Sequence, residues 1–268
     1  MIVIKGAGDL ASGVAVRLAH CGFRIVMTDL IHPTSIRRTV CFSEAILRGT
    51  NTVEDVTAEY ANTIDAIEAI HQHGNIALLA DPNADCVKSL HPDVVIDAIL
   101  AKRNLGTSVS DASVVIALGP GFTAGIDCHA VIETMRGHDL GRVILNGSAE
   151  PNTGIPGSIS GFTTERVLRA PKAGIFAEIC HIGDIVEKGK TVAAVDGEPI
   201  PASISGVIRG LLPTGTPVYP GMKSGDIDPR PIKEHCYTVS DKARAIGGGV
   251  LEAILMLQRR NAHVSTYR

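Results

Sequence analysis

The residue types that could do chemistry fall in three short stretches. In "IKGAGDLASG" (4–13) an apolar run is followed by two glycines, and Asp29 comes about twenty positions after them. Gly6 permits a sharp turn, Gly8 lets a phosphate approach the backbone, and beside Asp9 a helix starting by Leu10 offers an anion site through its first N–H groups. Gly13 stands five positions after Gly8 rather than the usual three, and Asp29 is where a ribose-binding acid is expected. The stretch therefore reads as a phosphate-binding crossover, as a cleft for another anion, or as a structural turn. Arg37 and Arg38 follow and could reach a 2′-phosphate or simply be solvated.

"LGPGFTAGIDCHAVIETMRGHDLGRV" (118–143) reads as a second strand, glycine loop and helix. Gly119 and Gly121 would then lie on the same sheet edge as the first loop, so the two loops could hold opposite ends of one extended ligand. A helix over Cys128–Arg136 would put His129 and Glu133 on one face at i, i+4, beside Arg136. Either they line the cleft as an acid or base, or they are an ordinary surface pair. Cys128 reads as a chalcogen carrier or as a small buried hydrophobe. Two metal ligands without a third give no metal site. In "IDAILAKRN" (96–104), Asp97 ends a strand, and Lys102 and Arg103 follow in a loop that would favour phosphate or be merely solvated.

These loops need a sheet to carry them. Strand-like runs at Ile2–Ile4, Arg24–Thr28, Ile76–Ala80, Val94–Ala98, Val114–Leu118 and Val143–Leu145 alternate with helical periodicity over Leu10–Cys21, Val53–His73 and Cys128–Arg136. The predicted fold is α/β: a Rossmann-like doubly wound parallel sheet over residues 1–150. "NGSAEPNTGIPGSISG" (146–161) reads as a junction or a long ordered loop. Residues 165–232 show short alternating strands broken by Gly-Asp, Lys-Gly, Asp-Gly and Pro-Gly turns, and predict a smaller all-β domain. Its two halves, "HIGDIVEKGKTVAAVDG" and "IPASISGVIRGLLPTGTPVYPG", resemble a lipoyl/biotinyl barrel-sandwich hybrid. The hairpin "VDGEPIPA" (195–202) lacks the modifiable lysine of that type, which leaves a packing or ligand-cradling module. "GDIDPR" (225–230) reads as an internally bonded turn or a ligand contact. A helix over 238–260, capped by Ser240, is expected to pack on the first domain, its Gly247–Gly249 marking close approach or a break.

Composition sets limits. Apolar residues make up 45% of 268, aromatics 3%, and Trp is absent, so the core must be aliphatic. A net charge of −3 without a basic block argues against nucleic acid or an anionic membrane as partner. Lys5, Gly6 and Gly8 interrupt the N-terminal apolar run, so no signal peptide is expected, and no eighteen-residue apolar stretch predicts a membrane span. Scattered cysteines fit reduced thiols in a cytoplasmic protein.

The motifs "IKGAGDLASGVAVRL", "IRRTVCFSEAILRG", "IDAILAKRN", "LGPGFTAGIDCHAVIETMRGHDLGRVI", "PNTGIPG", "GDIDPR" and "DKARAIGGGVLEAIL" together resemble the YqeB family, accessory proteins of the selenium-dependent molybdenum hydroxylase system. The resemblance covers residues 1 to about 258. It implies a cytoplasmic maturation factor for a client molybdenum hydroxylase, binding NAD(P) or the molybdopterin cytosine dinucleotide, and supplies no catalytic residues. An NAD(P)-dependent oxidoreductase and a non-catalytic scaffold are the other two readings; enzyme or not, and monomer or homo-oligomer, stay open.

Overall fold

The computed structural model describes residues 1–265, which form two compact units, each discontinuous in sequence. The first contains Met1–Pro33, Phe42–Asn152 and the chain from Val239 on; the second contains Thr34–Cys41 and Thr153–Thr238.

The first unit is built on β1 (Ile2–Lys5), β2 (Ile25–Asp29), β3 (Thr50–Val53), β4 (Val56–Tyr60), β5 (Ile76–Ala80), β6 (Val94–Asp97), β7 (Val114–Leu118), β8 (Ala130–Ile132) and β9 (Val143–Ile144). Helices α1 (Asp9–His20), α2 (Glu44–Arg48), α3 (Ile67–Gln72), α4 (Cys86–Leu90) and α5 (Asp241–Ser265) complete it. The strands form one sheet in the order β3-β4-β5-β2-β1-β6-β7-β8-β9. Pairing is parallel from β4 through β8 and antiparallel at both edges, β3 with β4 and β8 with β9. The central strands are buried on both faces, which explains their unbroken apolar runs. Val3, Val95 and Val115 belong to the same buried apolar cluster as Ile67 and Ile70 of α3, while Ile4, Ile96 and Ile116 are buried on the alternate positions.

The expected doubly wound parallel sheet with a barrel-like β domain is thus overturned. The sheet is mixed, with a parallel core. No helix joins β6 to β7 or β7 to β8; irregular loops make both crossings. Two stretches predicted as helices hold strands, and the first is helical only towards its end, in α3 (Ile67–Gln72). Val53–His73 begins as a hairpin in which Val53 pairs with Val56 across Glu54 and Asp55, and Glu54 takes a left-handed φ of 57°. Cys128–Arg136 contains β8, whose three apolar residues are all buried; a short apolar run fits a buried strand as well as a helix. The final helix is present: Ser240 Oγ accepts the Ala243 N–H at 3.2 Å as its cap.

Glycine sets how α5 meets α1. A Cβ on Gly13 would lie 2.6 Å from Ala243 Cβ and 2.9 Å from Val239 Cγ1, so only glycine allows this spacing. Gly247 faces the Gly13 carbonyl across the same crossing, and a Cβ on Gly249 would strike the Gly141 carbonyl oxygen. Gly248 faces open space.

The second unit stacks two four-stranded antiparallel sheets. Its strands are β10 (Val167–Arg169), β11 (Gly174–Glu178), β12 (Ile185–Val186), β13 (Thr191–Val195), β14 (Glu198–Pro201), β15 (Gly206–Leu211), β16 (Pro217–Val218) and β17 (Lys223–Asp228). One sheet runs β10-β17-β15-β12 and the other β14-β13-β11-β16, with no closure into a barrel. Phe176, Val192, Val195, Ile208, Leu211 and Ile227 form the core. The β13–β14 hairpin turns on Asp196 (φ 43°) and Gly197 (φ 79°). Positive φ at both central residues is the mark of a type I′ turn.

In "GDIDPR", Asp228 accepts hydrogen bonds from the Arg230 N–H at 3.0 Å and from its guanidinium at 2.7 and 2.9 Å. Asp226 pairs with buried Arg166 at 3.1 Å. Gly225–Asp228 is thus the end of strand β17, and the internally bonded turn is confined to Asp228–Arg230. Residues Thr34–Cys41 belong to this unit through backbone and side-chain bonds. Leu211 N–H donates to the Ile36 carbonyl at 2.9 Å, Arg37 donates to the His235 carbonyl at 3.0 Å, and Arg38 pairs with Glu178.

Candidate functional site

Parallel pairing in the first unit brings the carboxyl ends of β1, β6 and β7 side by side, and the three loops that follow them touch. Gly6, at φ +93°, turns the chain out of β1; a Cβ there would meet the Ala98 carbonyl oxygen at 2.9 Å. Gly121, at φ +106°, lies against the same segment from the other side, where a Cβ would sit 2.6 Å from Arg103 N and 2.7 Å from Lys102 C. Residues 98–104 are thus held between the two glycine turns. Within them Leu100 and Lys102 adopt left-handed φ values of 61° and 62°. Backbone strain of this kind clusters at binding sites.

A buried polar network pins this loop. Lys5, the last residue of β1, donates to Thr107 Oγ1 at 3.0 Å and to Asp111 Oδ2 at 2.9 Å. Thr107 in turn donates to Asp97 Oδ2 at 2.6 Å. Burial raises the Asp97 carboxyl above its ordinary range, partly offset by the Thr107 hydroxyl and the Lys5 charge. Asn104 closes the loop, its Oδ1 accepting the Gly106 and Thr107 N–H groups at 2.9 and 2.8 Å.

The opening loop ends on α1. Gly8 is the N-cap and contributes no side-chain cap, and Asp9 is the first helical residue. Asp29 closes the loop from beneath, with Oδ2 accepting the Ala7 N–H at 2.8 Å and Oδ1 the Leu30 N–H at 2.7 Å. Burial raises its pKa. Gly13 lies apart from the loop, packing α1 on α5. Gly119, at φ +74°, makes the turn after β7, and Thr134 Oγ1 would lie 2.5 Å from a Cβ there.

The His129–Glu133 pair is corrected. With β8 a strand, the two residues flank its opposite ends. Four steps at the rise of an extended chain separate them by roughly 13 Å. His129 lies at the end away from the glycine loops, where its Nδ1 accepts the Val115 N–H at 2.9 Å and burial lowers its pKa. Glu133 is at the loop end, but both carboxylate oxygens are taken: Oε1 by Met135 N–H at 2.7 Å and Oε2 by Glu150 N–H at 2.8 Å. Cys128 is fully buried, and burial, then Asp127, pushes its thiol up to about 12, so it is no thiolate. Arg136 makes a bidentate pair with Asp241 at 2.7 and 2.8 Å.

Three residues that motif spacing does not single out belong to this edge. Lys5 and Thr107 sit in the buried network; an isolated cation ending an apolar strand is the available signal for the first. Lys242 occupies the first turn of α5, where the helix dipole disfavours a cation. Burial, and next the charge of Arg136, hold its ammonium below the ordinary lysine range. Among the described residues no three His, Cys, Asp or Glu side chains group to hold a metal ion, and no helix is long and apolar enough to cross a membrane.

No protein-family model matches the chain. It is 52% identical, over 260 residues and 97% of its length, to the uncharacterized protein YqeB of Escherichia coli strain K12. It spans about half of that curated relative, 48%. Solved structures show only a loose likeness. An aspartoacylase family protein from Mesorhizobium loti is 13% identical, with a TM-score of 0.29 and coverage of 84% of this chain and 83% of that one. A succinylglutamate desuccinylase/aspartoacylase from Rhodobacter sphaeroides is 10% identical, with a TM-score of 0.26 and coverage of 84% and 86%. Neither carries fold or chemistry to this chain.

Proposed function

The chain belongs to the YqeB family, and from its site we propose that the carboxyl edge of the parallel core binds the phosphate of a nucleotide-bearing cofactor. The protein would serve as a maturation factor for a client molybdenum hydroxylase, including the selenium-dependent type. The observation that carries the reading is the preformed pair of glycine turns gripping the 98–104 loop beside the uncapped start of α1. Positively polarised N–H groups at a helix start suit a phosphate and need no nucleophile, and Lys102 belongs to the loop that the two glycine turns hold. The dinucleotide form of the molybdenum cofactor offers such a group, as does NAD(P). The Gly6–Asp9 turn and Lys102 would hold that phosphate; pterin-bound molybdenum would supply the redox chemistry to the client.

The acid–base candidates of the oxidoreductase alternative, His129, Glu133 and Cys128, are not placed to serve this edge. His129 lies at the other end of β8, Cys128 keeps its proton, and the Glu133 oxygens are engaged by amides. Native mass spectrometry of the protein purified from its host tests the assignment. A bound pterin dinucleotide is the expected result. Bound nicotinamide dinucleotide with substrate-dependent turnover would refute the maturation role, and full client activation by a Gly8→Val, Gly121→Val variant would refute the binding edge itself.

A further inference from the structure

The β14-β13-β11-β16 sheet of the second unit buries one face and carries an apolar row on the other. Phe176 and Val195, opposite each other on β11 and β13, belong to the core. By the alternation of a strand, their neighbours point outward. Pro199, Ala194 and Ala177 stand opposite one another across β14, β13 and β11, and Ile175 stands opposite Pro217 across β11 and β16. Ile175 is 46% exposed, and Tyr219, two positions after Pro217, is 64% exposed. An antiparallel sheet with a solvated face ordinarily sets polar residues on it. Here five outward positions spread over four strands are all apolar. Polar groups lie at the margins instead. Lys172 pairs with Glu198 at 3.7 Å and Asp196 accepts the Ile175 N–H at 3.1 Å at the hairpin end, while Thr214 Oγ1 accepts the Glu178 N–H at 3.0 Å at the other. An apolar centre with a polar rim is the anatomy of a protein interface.

Both edge strands carry proline, Pro199 and Pro201 in β14 and Pro217 in β16, which removes edge donors and disfavours strand addition. A partner is therefore met face-on. Proline and alanine have no rotamer freedom to lose on burial, so four of the five outward positions add no side-chain ordering cost. The relative indicates what covers the face. This chain spans 48% of Escherichia coli YqeB, so more than half of that protein lies outside the match. Parts joined in one chain meet at an effective concentration on the order of millimolar, which makes each a standing partner for an apolar face on the other. We propose that the outward face of this sheet docks a globular unit equivalent to the unmatched part of that relative, with Ile175 and Tyr219 as its large contact residues. The inference is independent of the phosphate edge.

The test uses the full chain with a photo-cross-linking residue in place of Tyr219, irradiated in its host, and adducts identified by mass spectrometry. The expected adduct joins this position to peptides similar to the unmatched part of the relative. The captured protein, purified whole, should bind the parent chain in calorimetry. Ile175→Asp and Tyr219→Ser should each weaken that binding at least tenfold, as the loss of a central interface residue does. Ile185→Asp, at an exposed position of the other sheet, should leave it unchanged. Tyr219 lies beyond the end of β16, so Tyr219→Ser should melt close to the parent. Equal binding by the parent and Tyr219→Ser chains overturns the proposal. So does the absence of an adduct, an adduct between two copies of this chain, or capture of a molybdenum hydroxylase or any other protein without the expected similarity.

Discussion

Replacing Lys5 by methionine removes the cation of the network that pins the loop after β6. Lys5, Thr107 and Asp97 are 7%, 5% and 2% exposed, so water cannot replace the lost ammonium at any of them. Breaking a buried ionic contact by deleting one partner costs about 3–5 kcal/mol. Asp111 retains some solvent access, and Asp97 feels Lys5 through Thr107. Both facts place the loss near the lower limit, about 3 kcal/mol. At about 2–4 °C per kcal/mol for a chain of this size, the melting temperature should fall by roughly 6–12 °C.

The pH dependence follows from the sign of the Asp97 shift. A carboxyl raised in the folded state favours folding when protonated, and that contribution disappears as pH rises through its folded pKa. Without Lys5 the shift grows, so the loss in Lys5→Met should be largest at neutral pH and shrink as the pH is lowered towards that of a protonated Asp97. Adding Asp97→Asn should restore part of the stability at neutral pH. Calorimetric melts of the three chains at neutral and mildly acidic pH decide the matter; a Lys5→Met loss that is absent, or that deepens in acid, would refute the network.

Glycine positions give two opposed outcomes. Gly13→Val should drive a side chain into Ala243 at the helix crossing and lower the thermal unfolding temperature sharply. Gly248→Ala, in open space, should instead gain about 0.5–1 kcal/mol in the same melts. His129, lowered by burial and accepting from the Val115 N–H, should titrate by NMR below the ordinary histidine value of 6.5. Its contribution to stability is present above that value and is lost as pH falls through the folded pKa. A histidine protonated at neutral pH would sink that assignment.

The parts legible in sequence are those fixed by local geometry. The turn at Gly6, the strand ends at Lys5 and Asp97, and the α5 cap at Ser240 each follow from a residue type in one place. Periodicity misleads where elements are short: three buried residues of β8 cannot display a period, and the apolar positions of the β3–β4 hairpin mimic one face of a helix. The spacing of His129 and Glu133 acquires meaning only from a helix that does not form. Gly13 reads from its spacing as a ligand-binding glycine, yet its partner is Ala243, in a helix that follows the whole second unit in sequence.

The order in which the chain is made gives the α1–α5 crossing another consequence. α1 leaves the ribosome before the second unit, and the helix that covers Gly13 leaves after it. The nascent first unit must keep that face of α1 uncovered while the whole second unit is translated. Truncating before Val239 should therefore yield a chaperone-bound product rather than a shorter folded protein. Moving the α5 segment ahead of β1 should let the same unit mature early.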